Sequence, residues 1–547
     1  FTWGFRLGTN PGNCQATELA LDATYNPIVI GNFGGTVDFN PSGTTNNLTG
    51  GGGFVVKYSS AGTYTWVQQL TGTARPTNIA IASNGDIALS GHFLGTIDLN
   101  PGAGTYNVTS LPSTNNLFFA RYSSALAFTW GAAILTSSSS IRADVAVGPT
   151  SDIHITGDLT GTADLDPGVG TNVQGSTNNS LHFFGKYASA NGAHLWASTV
   201  ASLGSQNSLG LDEVRAVVVD PAGNVFATGT LKGTVDFDPG PGLVQRTSAG
   251  YRDIFVTKHS PSGQLVWVST VGSDNEDFGN DIALDAGGNV FVAGNFADTA
   301  DFDPGIGVVT LIASGGYDGF LLKLSPSGGL LSAGKIVSSI GNDEVKSLAI
   351  DAMGQAYVCG YYVGPADFDP SPTVMNLSSI GSTSGYLAKY SNGGALISAW
   401  PIDAPSSIED VAKVRLDAQG KVWVAVRCGA PSIDVDPGPG VINPSWAGVS
   451  NIALVKYETN GVPISWFAIT GPGAQTTFQT FEFDAYGDLV VVGAFYNAVD
   501  FDPGPGIVNL PSQVGYESFI AKYNAAGGLK WAKDVGGAGS QQVVSLG

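Results

Sequence analysis

Gly233-Thr234-Val235-Asp236-Phe237-Asp238-Pro239-Gly240-Pro241-Gly242 decides the fold, because close copies of it recur along the whole chain. The first aspartate of each copy is Asp38, Asp98, Asp164, Asp236, Asp301, Asp367, Asp434 and Asp500. Successive separations are 60, 66, 72, 65, 66, 67 and 66 residues, which makes the chain eight units of about 66 residues. Self-similarity at a fixed period marks a repeat architecture, in which each unit packs only on its neighbours. Such folds escape the size limit of a single core, so 547 residues need not imply several unrelated domains.

Within a unit the punctuation is that of antiparallel hairpins, shown most plainly over 281–337. An apolar run ending in Asp285 meets the turn Ala286-Gly287-Gly288-Asn289, and a second apolar run follows over 290–296. Gly and Asn supply the positive φ angles of tight hairpins. Asp301-Phe302-Asp303-Pro304-Gly305 comes next, then a short extended stretch (308–313), a third strand (320–324), the turn Ser325-Pro326-Ser327-Gly328 and a fourth strand near 331–337. The third strand carries a base in every copy: Lys57, Arg121, Lys186, Lys258, Lys323, Lys389, Lys456 and Lys522. The fourth carries Trp66, Trp130, Trp196, Trp267, Trp400, Trp466 and Trp531, with Leu331-Ser332 in the fifth copy.

Four short antiparallel strands per unit, joined by Gly-rich turns, predict an all-β propeller of eight four-stranded blades. The approximate units are 9–70, 71–135, 136–200, 205–271, 272–337, 338–402, 403–470 and 471–536. No helical periodicity is sustained, which excludes solenoids of helix pairs.

Composition agrees: 76 Gly and 28 Pro with 43% hydrophobic and 12% charged residues describe turn-rich β material with enough apolar surface to bury. Net charge is 23 − 44 = −21, which repels phosphate backbones and anionic lipid, so neither nucleic acid nor a membrane surface is an expected partner. No apolar run approaches the roughly 18 residues of a membrane helix, and no membrane insertion is expected. Cys14, Cys359 and Cys428 are odd in number and widely spaced, and read as buried thiols rather than a disulfide framework or zinc site. The chain opens at Phe1 without Met, as expected of a mature or trimmed product that has lost an export signal.

Asp-x-x-Gly-Asn-Val at the head of 220–229 and 285–294, Asp-x-Phe-x-x-Lys at 253–258 and 318–323, and the later Trp resemble the bacterial seven-bladed β-propeller repeat family. The chain is also similar to the related secreted proteins with Asp-Phe-Asp-Pro-Gly repeats. The resemblance covers essentially the whole chain and implies an extracellular or cell-surface protein of Bacteroidota type. It implies no particular activity, because propellers host many unrelated functions. The family name implies seven blades; the count here is eight, and the blade number should follow the count.

Chemistry concentrates in the repeated acid pair. In an extended segment, residues two apart share a face, so Asp236 and Asp238 present carboxylates together while Phe237 turns into the packing. The pairs are Asp38/Asn40, Asp98/Asn100, Asp164/Asp166, Asp236/Asp238, Asp301/Asp303, Asp367/Asp369, Asp434/Asp436 and Asp500/Asp502. With carbonyls of the following turn, these are hard oxygen ligands of the kind Ca2+ accepts, which makes calcium the expected cofactor. The alternative is that the Asp side chains accept backbone N–H bonds in Asx-type turns, or pair with the repeated Lys. The repeated Lys calls for a carboxylate partner on a neighbouring strand, and the Trp series for packing between blades rather than a sugar-stacking surface. His92, His154, His182, His194 and His259 form no metal motif, and neither a GxSxG elbow nor a phosphate loop is present. Arg427 and Glu482 depart from the repeat but are isolated in sequence.

The ends duplicate one another. Residues 1–8, with Trp3, match a fourth strand, as does Trp531 with its flanks, and 537–547 match the start of a ninth unit. A fifth strand on one blade, an array cut from a longer one, or a strand donated to a second molecule would each account for this. The expected function is a non-enzymatic extracellular scaffold or adhesion module, with another protein or a glycan at the cell surface as partner and with possible self-association. A filament subunit, a carbohydrate-binding propeller and a glycan-active enzyme are the alternatives.

Overall fold

A computed structural model describes residues 13–22, 24–40, 44–137, 142–148, 150–202, 213–238, 244–339, 341–379, 382–403, 409–429, 432–436, 442, 448–471, 474–484, 487–510 and 517–535. The surplus segments 1–8 and 537–547, and with them the strand-donation idea, lie outside the described residues. Every regular element among the described residues is a strand. Eight antiparallel four-stranded blades span 13–70, 75–134, 142–202, 213–271, 278–337, 344–402, 409–469 and 474–535. In blade five the strands are Phe278–Leu284, Val290–Asp301, Thr310–Leu324 and Leu330–Val337, hydrogen-bonded in that order.

The first strand of each blade is the innermost. In blades two, three, five, six, seven and eight it packs on the first strand of the blade before it. The ring closes through one apolar cluster that joins Cys14, Val29, Phe33, Phe54 and Tyr58 of blade one to Val490, Val492, Ile520 and Trp531 of blade eight. All three cysteines are free and buried.

The Asp-Pro-Gly excursion differs from the separate short stretch that the sequence predicts. In blades one, three and five it continues the second and third strands as one long hairpin, for example Pro27–Asp38 with Asn47–Tyr58. In blades two, four, six and eight it is a detached ribbon, such as Thr96–Asp98 with Asn107–Thr109. Both forms turn on the third residue before the first aspartate, which has positive φ in seven blades: Gly35, Gly95, Gly161, Gly233, Asp298, Gly364 and Asn497, at 52–87°. Glycine, Asp and Asn are the residues that tolerate this region.

The excursion also ties blades together. Its first strand pairs with the end of the preceding blade's fourth strand through Thr136↔Ala163, Ala201↔Asp236, Gly272↔Asp301, Ser338↔Asp367, Asp403↔Asp434 and Thr470↔Asp500. An outermost edge that would otherwise offer unpaired backbone groups is thereby partly covered.

The tryptophan series supplies the second tie. The Trp of one blade lies against the glycine of the next blade's third-to-fourth-strand turn. A Cβ on Gly192 would meet Trp130 at 2.5 Å, one on Gly263 Trp196 at 1.9 Å, one on Gly328 Trp267 at 2.7 Å, and one on Gly461 Trp400 at 2.1 Å. Trp130, Trp196 and Trp267 also donate from Nε1 to a carbonyl of that turn, those of Ser189, Pro261 and Pro326. Trp466 does not belong to this series. Ser465 lies opposite Lys456, so Trp466 falls on the other face of its strand and is 42% exposed, while Phe467 lies against Gly527.

Gly263 combines a φ of +82° with the closest of these approaches. Gly263→Ala is expected to destabilise the ring by roughly 2 kcal/mol or more, from left-handed backbone cost and overpacking together. Chemical denaturation checks this, with Gly420→Ala as comparison: that turn glycine has similar φ and no atom within 4 Å of its Cβ site, so it should lose only the backbone share.

Candidate functional site

All eight acid pairs sit on the excursion loops, and the residue between the two acids is fully buried in each: Phe39, Leu99, Leu165, Phe237, Phe302, Phe368, Val435 and Phe501. The first aspartate folds back over its own loop. Its Oδ1 accepts two backbone N–H bonds, from the residue two later and the residue eight later. These run from Asn40 and Asn46 to Asp38, Asn100 and Tyr106 to Asp98, Asp166 and Asn172 to Asp164, and Asp238 and Val244 to Asp236, at 2.7–3.1 Å. The other four copies repeat the pattern within the same limits: Asp303 and Val309 to Asp301, Asp369 and Met375 to Asp367, Asp436 and Ile442 to Asp434, and Asp502 and Val508 to Asp500, at 2.8–3.1 Å.

The second residue makes the next, smaller turn. Oδ1 of Asn100, Asp166, Asp303, Asp369 and Asp502 accepts the N–H of Gly102, Gly168, Gly305, Ser371 and Gly504 at 2.8–2.9 Å, and Asn40 donates from Nδ2 to Thr44 Oγ1. The loops following Asp238 and Asp436 lie outside the described residues. Calcium takes six to eight oxygens. Each loop brings two side-chain carboxylates or amides together, but an oxygen of the first is already saturated by N–H donors in all eight. Among the described residues no group of three or more His, Cys, Asp or Glu gathers into a cage.

A repeated tyrosine went unread in the sequence although Lys-Tyr or Arg-Tyr recurs there. Tyr58, Tyr122, Tyr187, Tyr390, Tyr457 and Tyr523 donate to the carbonyl of the buried residue between the acids, at 2.8–3.2 Å. Burial drives these phenols well above their ordinary pKa, so they stay protonated donors.

The repeated base meets a carboxylate, but in the turn between the first and second strands and not in the acid pair. Lys57–Asp22 (2.6 Å), Arg121–Asp86 (3.0 Å), Lys186–Asp152 (3.2 Å), Lys323–Asp285 (3.4 Å), Lys456–Asp417 (2.9 Å) and Lys522–Asp484 (2.6 Å) are the pairs. Repeated lysines also reach the next blade: Lys186, Lys258, Lys323, Lys389 and Lys456 donate to carbonyls of Pro261, Pro326, Asn392, Thr459 and Ala525. Side chains this enclosed lose far more on removal of one partner than a surface pair does.

Departures from the repeat gather on the inner strands, and Arg427 and Glu482, isolated in the sequence, belong to them. One inner-strand position holds Ala20, Ala80, Ala146, Val218, Ala283 and Ala349 in six blades, and Arg415 and Glu482 in the last two. Glu482 Oε1 lies 3.0 Å from both Arg415 Nε and Lys413 Nζ. Arg415 Nη1 donates to Ser347 Oγ, and Ser347 Oγ to Asp281 Oδ2. Beside it, Asp410 takes Lys346 at 2.7 Å and Arg427 in a forked pair. Burial alone would raise Asp410 and Glu482, but the bases against them hold both below the ordinary carboxylate range, and burial lowers Lys413. Four bases and four acids thus compensate one another across blades five to eight, counting Glu344 beside Lys346.

Other carboxylates are buried without a cation. Burial raises Asp253, Asp277 and Asp343 to about 6, although each accepts backbone N–H bonds. Asp343 Oδ1 accepts from Ser339 Oγ and Val363 N, while its Oδ2 has no partner.

Strands, loops and closure together define an eight-bladed β-propeller whose distinguishing mark is a self-hydrogen-bonded Asp loop on every blade. No family model matches the chain. An uncharacterized WD repeat-containing protein of Acanthamoeba polyphaga mimivirus is 26% identical over 202 residues, covering 33% of this chain and 14% of that protein, so the chain spans only a small part of this relative's length. Among solved structures, a quinohemoprotein alcohol dehydrogenase from Comamonas testosteroni is 11% identical over 93% of this chain and 78% of its own, with a TM-score of 0.37. A second such dehydrogenase, from Pseudomonas putida HK5, is 11% identical over 91% and 73%, with a TM-score of 0.36. A Bacteroides caccae protein of unknown function is 10% identical over 64% and 89%, with a TM-score of 0.25. Scores this low transfer no activity, and the propeller assignment rests on the blades themselves.

Asp367→Ala is expected to leave the ring folded but to weaken its loop by about 1–3 kcal/mol, because two N–H groups lose their acceptor. Faster amide exchange at Asp369 and Met375 measures this, and Asp367→Asn, which keeps Oδ1, should restore most of the protection.

The raised acids set a second expectation. A folded pKa near 6 against about 3.8 unfolded means that the folded state binds more protons between those values, so this contribution is complete below pH about 4 and is lost as pH rises through about 6. Asp22, Asp285 and Asp417 are depressed by partners that offset their burial, and act oppositely, losing stability below about pH 4. The melting temperature should therefore peak in mild acid and fall towards pH 8, and Asp343→Asn, which keeps both Oδ1 bonds, should flatten that fall.

Proposed function

We propose that the protein is a non-enzymatic scaffold of the extracellular or cell-surface kind, similar to secreted Asp-Phe-Asp-Pro-Gly repeat proteins, whose rigid ring presents its rim to a protein or glycan. One observation carries this reading: the polar groups that recur in every blade, and the non-repeated ones near the axis, are spent on one another. The first aspartate of each pair binds its own loop, the repeated base binds its own blade and the next, and Arg415, Lys413 and Glu482 close a compensated network. Groups tied to one another in this way act first as cross-links between blades, which is what supports a structural reading.

The Asp loops serve this scaffold as hydrogen-bonded clamps. Calcium at the acid pairs is the competing account of the same rigidity, and self-assembly through the terminal segments the competing account of the assembly. Millimolar calcium or chelator is expected to move the melting temperature by less than about 1 °C, since N–H donors already satisfy the first aspartates; a rise of several degrees would place the cation in the loops. Purified protein should turn over neither glycoside nor alcohol substrates, and a turnover abolished by Glu482→Gln would sink the non-enzymatic reading.

A further inference from the structure

Blades three and four meet at a groove of about 830 Å3, lined by Asn172, His194, Trp196, Asp238, Arg246 and Trp267 among others. That volume lies within the usual range of small-molecule clefts, about 300–1,000 Å3. Its walls are where the repeat departs from itself. The position ten residues after the first aspartate holds Leu48, Val108, Leu311, Leu377 and Leu510 in five copies, each packed on an apolar cluster, Gln174 and Pro444 in two, and Arg246 here. The residue that opens the fourth strand is Tyr64, Phe128, Leu265, Leu330, Leu396, Pro463 or Leu529 in the other blades and His194 in blade three. Its neighbour across the blade is Tyr106 in blade two, where Tyr106 and Phe128 rings lie 4.9 Å apart; in blade three the pair is Asn172 and His194, with Nδ2 and Nε2 at 3.3 Å.

Three polar residues at positions that are mostly apolar elsewhere thus converge on one groove. Arg246 gives one bond from Nη1 to the Gln245 carbonyl (2.9 Å) and one from Nη2 to that of Val268 (3.2 Å). Both acceptors are neutral, and three of the five guanidinium N–H groups are left to offer. Burial lowers the pKa of His194, so at neutral pH its ring carries one donor and one acceptor.

We propose that this groove binds a neutral oligosaccharide. Sugar hydroxyls both donate and accept, which suits a wall that mixes guanidinium, carboxylate, amide and neutral imidazole. Trp267, half-buried, supplies apolar surface for the C–H face of a pyranose ring, while Trp196, packed on Gly263 and stacked with His259, backs the wall. Asp238 beside Arg246 and a net charge of −21 disfavour an anionic ligand. The groove adds a ligand to the scaffold reading but stands without it: an activity at the axis would sink that reading and leave this one untouched.

The test is a titration of tryptophan emission with gluco-, manno-, xylo- and galacto-oligosaccharides on the full chain. At least one is expected to saturate the signal at millimolar concentration or below. Arg246→Leu, which restores the residue of other copies and should melt no lower than the parent, is expected to weaken binding about tenfold or more; His194→Leu should act in the same direction. Silence across the panel, or parental affinity in both variants, overturns the proposal. Tighter binding of an oligogalacturonate overturns the neutral class, and saturation by a peptide panel but by no sugar overturns the carbohydrate class.

Discussion

The contact between adjacent blades is what the rest of the molecule depends on. A four-stranded sheet of this size buries too little alone, and each blade gains its second packing face only from its neighbour. Two devices fix that neighbour. An indole or phenyl ring lies flat on a turn glycine with no room for a side chain, as Trp196 does on Gly263. The Asp hairpin reaches back to hydrogen-bond the preceding blade's outer strand, as Asp301 does to Gly272. Because both act in the same rotational sense at each step, the eighth blade meets the first through the same kind of surface, with Trp531 set among Val29, Phe33 and Tyr58.

Electrostatics follows from that geometry. With 44 acids against 23 bases, one-to-one pairing would leave 44 − 23 = 21 acidic groups without a base, and the chain places bases where they act twice. Lys323 holds Asp285 in its own blade and a carbonyl of Asn392 in the next. Acids left without a cation are stabilised by N–H donors instead, as in the loops, or sit buried with a raised pKa, as Asp343 does. The first aspartate of each hairpin thereby satisfies two backbone donors of its own loop.

Repetition governed what could be read in advance. Asp at a fixed period, Gly-Asn turns and Lys beside Phe disclosed eight blades because each feature recurs and acts within one unit. The Lys-Tyr pair was equally visible, but its target, a carbonyl 19–23 residues earlier, is not a feature that sequence displays. Trp466 misled because it follows its Lys by ten residues where Trp66, Trp267 and Trp531 follow theirs by nine across the same bulge, and one residue turns a side chain to the opposite face. Arg415 with Glu482, and His194 with Arg246, are single departures lying 67 and 52 residues apart, and nothing local pairs them.

The sequence by itself determined the strand count, the blade count and the position of the Asp loops, since period-two patterning and turn residues are local and act within one 66-residue unit. Only the tertiary structure decided which base met which acid, whether the excursion joined its blade or stood apart, and where unlike residues from different units were gathered. Those outcomes depend on distances between units, which are fixed by ring closure rather than by anything a single repeat encodes.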